Sequence, residues 1–233
     1  MTSLDRATLL VTGANGGLGR ELVRQGLDRG AARVYAAARS PRDWDDDRVV
    51  PLRLDVTDPV SVTRAVAATE GVTVLVNNAG ILRRGSLLTG DLADVRAQLE
   101  TNLVGPLLLA RELAPQLRER GGAIVNVASV LSWLAIGNGY SVSKAGLWAA
   151  TNALRVELAP QGVHVLGAYL AFTDTPMNDG VPVAGPLNDP ADVVRQILDG
   201  LEAGAHEVLA DDTTRGVRAA LSAPVEALYP ALA

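Results

Sequence analysis

The chain predicts an α/β protein: one domain over residues 1–233, with a doubly wound, mostly parallel sheet of seven strands between two layers of helices. Three observations carry that expectation. Short β-rich apolar runs alternate with longer helical patterns, the signature of βαβ units. The first apolar run ends in a glycine-rich turn that leads straight into a helical pattern. A length of 233 residues suffices for one full core, and no linker or compositional break divides it.

The strands are expected, in order, over residues 8–11, 33–37, 50–55, 74–77, 123–128, 163–169 and 207–209, each a short run rich in Val, Ile, Leu or Ala. Helical periodicity places helices over residues 18–29, 60–69, 92–118, 140–159 and 191–203. Gly30, Gly71, Gly121 and Gly162 stand at or just past helix ends, where a left-handed residue stops the helix. Residues 173–190 are rich in Gly, Pro, Asp and Asn and show little periodicity, so they read as a long loop, a length often used as a functional lid. There is no internal repeat.

Composition removes several classes of function. Apolar residues make up 48% and charged residues 20%, which suits a packed protein and not a disordered one. The net charge is −5 with acids spread along the chain, so no basic face for nucleic acid is expected. The acidic run at 45–47 reads as a solvated loop. With no cysteine, disulfides, thiolate catalysis and Cys-held metal are excluded. His164 and His206 are far apart in sequence and lack metal-ligand spacing, so both read as structural or surface residues. Neither a signal-peptide pattern nor a stretch of bilayer-spanning length is found, and a cytoplasmic protein is expected.

The chemistry-bearing pattern begins at Thr12-Gly13-Ala14-Asn15-Gly16-Gly17-Leu18-Gly19. In this position Gly13 permits a tight turn, Gly17 allows backbone to approach a pyrophosphate, and Gly19 allows close helix packing, with helix N-terminal amides facing the anion. A second feature is Lys144, the sole lysine among 21 basic residues, four positions after Tyr140. On a helix that spacing puts phenol and ammonium on one face. A cation there is expected to lower the tyrosine pKa toward the range useful for acid-base work. An ordinary solvated Tyr/Lys pair has the same spacing.

The glycine turn, Asn77-Asn78-Ala79-Gly80 after the fourth strand, Asn102 in Thr-Asn-Leu, Ser129 after the fifth strand and Tyr140-x-x-x-Lys144 occur in the order found in the short-chain dehydrogenase/reductase family, which the chain resembles over nearly its whole length. The resemblance implies a Rossmann-type fold and a nicotinamide cofactor. It implies that Tyr140 exchanges a proton with a carbonyl or alcohol, that Ser129 polarises the substrate, that Lys144 also bonds the nicotinamide ribose, and that Asn102 kinks a helix and holds a relay water. Gly13, Asn15, Gly17, Leu18 and Gly19 would hold the cofactor at the glycine turn, and Asn78, Ala79 and Gly80 beside it. Thr173 and Thr175 would meet the carboxamide, and Asp55 and Val56 the adenine. Read without the family, Ser129 is a strand-end turn cap, Asn102 a helix-interior polar residue and Asp55 a helix cap, although Asp58 is better placed to cap.

The second strand decides the form of cofactor. Members selective for NAD place an acid at its end, whereas this chain has Ala38 followed by Arg39 and Ser40, which suits the 2′-phosphate of NADP(H). Two departures from the family pattern bear on substrate. The Ser129 to Tyr140 interval is two residues short, with Ser132 as a second hydroxyl nearby, and Leu170-Ala171 replaces the usual Pro-Gly. Leu131, Trp133, Leu134, Tyr169, Leu170 and Phe172, with Met177 and Val181, are candidates for an apolar pocket taking a hydrophobic ketone or aldehyde. A homodimer or homotetramer is expected, paired through the long helices; Leu147, Trp148, Ala149, Thr151, Leu154 and Leu158 offer more apolar surface than one sheet needs. The alternative is a non-catalytic NADP-binding sensor or scaffold that keeps the fold.

Overall fold

The computed structural model describes residues 2–178 and 185–232. Seven strands form one sheet in the order β3-β2-β1-β4-β5-β6-β7: β1 Thr8–Thr12, β2 Arg33–Ala38, β3 Val49–Arg53, β4 Val74–Asn77, β5 Ala123–Val127, β6 His164–Tyr169 and β7 Glu207–Leu209. Every ladder is parallel, so the "mostly" of the expectation resolves to all. Parallel strands need crossovers, and the helices that supply them cover both faces. That is why β1, β4 and β5 consist largely of buried apolar residues and do not alternate apolar with polar.

Alternate residues of β1 serve different layers. Leu9 and Val11 join Leu22 and Val23 of α1 (Gly17–Asp28) and Val193, Val194 and Ile197 of α6 (Pro190–Glu202). Leu10 faces Val62 of α2 (Pro59–Ala67) and Leu109 and Leu113 of α4 (Gly105–Arg120). Ionic contacts from Arg29 to Asp199, at 2.6 Å, and to Glu202, at 2.5 Å, fasten the C-terminal end of α1 to α6. Pro51 lies in β3, an edge strand with one neighbour, where its missing amide costs no ladder bond on the open side.

The continuous helix expected over 92–118 is interrupted. α3 (Leu92–Leu99) passes into a π-helical turn, Glu100–Val104, before α4. Gly105 N–H reaches back to Glu100 O, and Pro106 has no amide to close on the carbonyl of Asn102. The third strand also ends earlier than expected. The Asp55 amide is taken by Ser61 Oγ at 3.0 Å, and its Oδ1 accepts from Thr57 N–H and Oγ1–H at 3.0 and 2.7 Å. Asp58 caps α2 through a 3.0 Å bond from Val60 N–H.

Two elements beyond β7 lacked a sequence signal: α7 (Asp212–Ala219) and the single turn α8 (Val225–Leu228). α5 (Gly139–Leu158) lies where expected, but its apolar residues divide differently. Leu147, Thr151 and Leu158 are buried, while Val142, Ala149 and Val156 face solvent at seven-residue intervals.

Candidate active site

The strand order reverses between β1 and β4, and there the carboxyl ends of the strands diverge into a crevice. The glycine turn sits at this point. Gly13 takes φ +65°, and a Cβ there would also lie 2.9 Å from Ala79 Cα; a Cβ on Gly19 would stand 2.1 Å from Gly13 O. These contacts draw the N-terminus of α1 against the turn. Gly16 at its N-cap supplies no side chain, so early amides of the helix have no side-chain cap. An anion is the natural partner of such a cradle, and the residues present fit the pyrophosphate of a dinucleotide.

Neighbouring side chains fix the cradle. Thr12 Oγ1 accepts from the amides of Asn78 and Ala79 at 3.0 and 2.9 Å, and Asn78 Nδ2 donates to Thr12 O at 2.8 Å. Asn15 Nδ2 donates to Ser40 O at 2.7 Å, pinning the segment that carries Arg39 beside the turn. Arg39 is exposed, makes no hydrogen bond among the described residues, and its charge helps hold the Asp55 carboxyl below its usual pKa after the two Thr57 bonds.

A cavity of about 470 Å³ opens from the glycine turn to the first turn of α5. Gly13, Gly17, Leu18, Asn78, Ala79 and Gly80 line one end; Ser129, Tyr140, Lys144, Thr173 and Thr175 line the other. Of the remaining sequence candidates, Asn15, Arg39, Ser40, Asp55 and Val56 lie outside this cavity, at the glycine turn and the ends of β2 and β3. Gly19 and Asn102 lie behind its wall. Asn102 is fully buried in the π turn; its Oδ1 accepts from Ile81 N–H at 2.9 Å, and Nδ2 donates to Ile81 O and Ser143 Oγ at 3.0 and 2.9 Å.

Tyr140 and Lys144 face the cavity together because Asn138 starts α5 just before them, its Oδ1 accepting from Ser141 N–H at 3.0 Å. Lys144 is buried and donates from Nζ to Val127 O at 2.8 Å, lying 5.6 Å from the centre of the Tyr140 ring. Ser129 Oγ accepts from Leu131 N–H at 3.1 Å, so it is the turn cap, and its hydroxyl lies near enough to the Tyr140 phenol to favour the phenolate. The expected lowering of the Tyr140 pKa is not what the structure gives. Burial pushes the phenol up to about 12, the nearby Ser129 hydroxyl offsetting only part, and burial pushes Lys144 down to about 8. Both charged forms lose hydration in this pocket, and the ammonium lies over the ring, not against the oxygen. Part of the Tyr140 side chain still opens to the cavity, so solvent moderates the rise.

The apolar wall is partly as expected. Leu131, Leu170, Phe172 and Met177 line the cavity, with Leu82 and Ile136 added. Trp133 and Tyr169 do not; they stack at 4.4 Å in a separate cluster with Leu147, because the end of β6 points Tyr169 inward. Leu134 and Ser132 are also absent from the lining, and Val181 lies outside the described residues. Asn138 and Asn126 were not singled out in the sequence, and Thr151, expected on the pairing surface, is buried instead. Asn138 carried a readable signal, an Asn directly before a helical run. Asn126 and Thr151 did not: Asn77 Nδ2 donates to Asn126 Oδ1, and Asn126 Nδ2 to Thr151 Oγ1, at 2.8 and 2.9 Å, a buried chain tying β4 and β5 to α5. His164 and His206 meet after all, rings 5.2 Å apart, since β6 and β7 are neighbours; no metal-holding cluster occurs among the described residues.

A Rossmann-type sheet, a glycine cradle at its switch point and a Tyr-Lys pair beside a serine are the arrangement of oxidoreductases that use a nicotinamide nucleotide. The short chain dehydrogenase family model matches residues 7–183, and the chain belongs to that family. It is 37% identical over 191 residues to retinol dehydrogenase 5 of Homo sapiens, covering 75% of this chain but 59% of that protein. It is 34% identical over 205 residues to the 3-beta-hydroxysteroid dehydrogenase of Comamonas testosteroni, covering 80% and 81%. A short chain dehydrogenase from Burkholderia cenocepacia J2315, solved in complex with NADP, superposes with a TM-score of 0.92 at 35% identity over 99% of each chain. No helix among the described residues is long and apolar enough to cross a membrane.

Proposed function

We propose that the protein reduces an apolar ketone or aldehyde with NADPH, or runs the reverse oxidation. The observation that carries this reading is the set Ser129, Tyr140 and Lys144 at one end of a cavity whose other end is the glycine cradle. NADPH, when bound, supplies the hydride; the chain supplies position and the proton. Tyr140, with its pKa raised, keeps its proton at neutral pH and donates it from Oη to the carbonyl oxygen. Ser129, beside Tyr140 in the cavity lining, orients that oxygen, and Lys144 holds the ribose. Asn102 fixes Ile81 and Ser143 beneath the site, and its carbonyl, four residues before Pro106, is a candidate seat for a relay water. Leu131, Leu170, Phe172 and Met177 favour an apolar substrate body.

The choice of NADP(H) is supported by Arg39 at the end of β2 and by the NADP complex of the Burkholderia cenocepacia relative. Arg39→Ala is expected to weaken NADPH binding by about 1.5–3 kcal/mol, the scale of one charge-assisted contact, and to change NADH binding little. Fluorescence titration with both cofactors measures it; equal losses would make Arg39 structural. The reading as a whole is tested by NADPH oxidation across varied ketones and aldehydes with Tyr140→Phe as control. Cofactor binding with no turnover anywhere in the panel would favour the binding-only alternative.

We also propose that copies of the chain pair through α4 and α5. The outward stripe of Val142, Ala149 and Val156 supports this, with Val156 77% exposed. Light scattering at micromolar concentration should give a dimer or tetramer, and a monomer would refute the pairing.

A further inference from the structure

Asp211, just past β7, is nine-tenths buried and forms no ion pair among the described residues. Four hydrogen bonds satisfy its carboxylate instead. Oδ1 accepts from Thr214 N–H at 2.8 Å and so caps α7. Oδ2 accepts from Ala171 N–H at 2.7 Å, Thr214 Oγ1–H at 3.0 Å and Asn188 Nδ2–H at 3.2 Å. Of these donors, Ala171 lines the cavity and Asn188 is joined by a bridge to Thr173, which also lines it.

Both are tied onward into the site. Leu170, next to Ala171, accepts through its carbonyl from Val130 N–H at 2.9 Å and from Ser129 Oγ–H at 3.4 Å. Asn188 N–H donates to Phe172 O at 2.9 Å, and Asp174 N–H donates to Asn188 O at 3.0 Å, closing a bridge between Thr173 and Asn188. We propose that Asp211 is a positioning residue for the substrate cavity: one carboxylate clasps Ala171 and Asn188 together and so sets where Leu170, Ala171 and Phe172 stand beside Ser129. The clasp also explains how the chain manages without Pro-Gly at 170–171. The wall is held from outside by an acceptor for the Ala171 amide instead of by the stiffness of proline.

This inference rests on the reading of the cavity as the substrate site, and the test separates the two. Asp211→Asn keeps a good N-cap for α7, and the Thr214 hydroxyl can turn to accept, but an amide NH₂ now faces the donors on Ala171 and Asn188. The KM for the carbonyl substrate should rise about tenfold while kcat stays within about threefold, because orientation of the wall is lost and the proton donor is not. Thr214→Val, which removes one donor from Oδ2 but keeps the bonds from Ala171 and Asn188, should leave KM nearly unchanged. Asn188→Ala, which removes one arm from the loop side, should raise KM in the same direction and decides the matter if Asp211→Asn does not fold. Hydrogen exchange should quicken around 171–174 and 185–188 but not in α7. Unchanged KM, or faster exchange confined to α7, would overturn the proposal. If the unaltered protein turns over no carbonyl, the functional reading fails, and exchange at 171–174 and 185–188 still decides whether the clasp exists.

Discussion

Tyr140→Phe is expected to lower turnover by on the order of 10²-fold or more while leaving NADPH affinity nearly unchanged. Phe keeps the ring that packs beside Lys144 and removes only the phenolic hydroxyl. The raised phenol pKa makes the expectation directional. A group that stays protonated through neutral pH is a ready acid for carbonyl reduction and a poor base for alcohol oxidation, so oxidation should need more alkaline conditions than reduction. Steady-state kinetics in both directions test this, and near-normal turnover by the Phe variant would remove Tyr140 from the chemistry.

Lys144→Arg should collapse turnover by a comparable factor although the net charge is unchanged. The ammonium is buried at the cavity wall and donates to Val127 O at 2.8 Å; a planar guanidinium is wider and would displace whatever the lysine holds. Near-normal turnover would make this lone lysine a compositional accident. The same residue has a stability signature. Its folded pKa, about 8, lies below its unfolded value, so between about pH 8 and 10 the unfolded chain binds more protons and the cofactor-free protein gains stability as pH rises. Tyr140 acts in the opposite sense at higher pH: its folded pKa of about 12 exceeds the unfolded one, and its contribution is lost from about pH 10 upward. Lys144→Met should therefore be more stable than the unaltered protein at pH 7, by about 2 kcal/mol after the lost bond to Val127 is set against the removed buried charge. Denaturant melts from pH 7 to 10 check it; a variant no more stable at pH 7, with the rise above pH 8 intact, would show that Lys144 is not the group responsible.

What the sequence by itself determined was everything that rests on near neighbours. The strands were readable because a parallel sheet covered on both faces needs unbroken apolar runs, as at Leu9-Leu10-Val11, and glycines punctuate them. The cradle was readable because Gly13, Gly17 and Gly19 act within one turn, and the Tyr140–Lys144 pair because four residues make one helical turn. The kink at Asn102 came only with the family resemblance; helical periodicity by itself predicted one unbroken helix over 92–118, which the π turn interrupts. Tertiary structure decided the rest. Trp133 and Tyr169 looked like pocket walls, yet which face of a strand end meets the cavity depends on neighbouring elements. The pKa of Tyr140 moved up because burial is a property of the packed pocket and outweighs a nearby cation that does not touch the oxygen. His164 and His206, and Ala171, Asn188 and Asp211, are brought together by the β6–β7 pairing and the loop beside it. No local spacing encodes such meetings, because they arise when distant segments share one sheet edge.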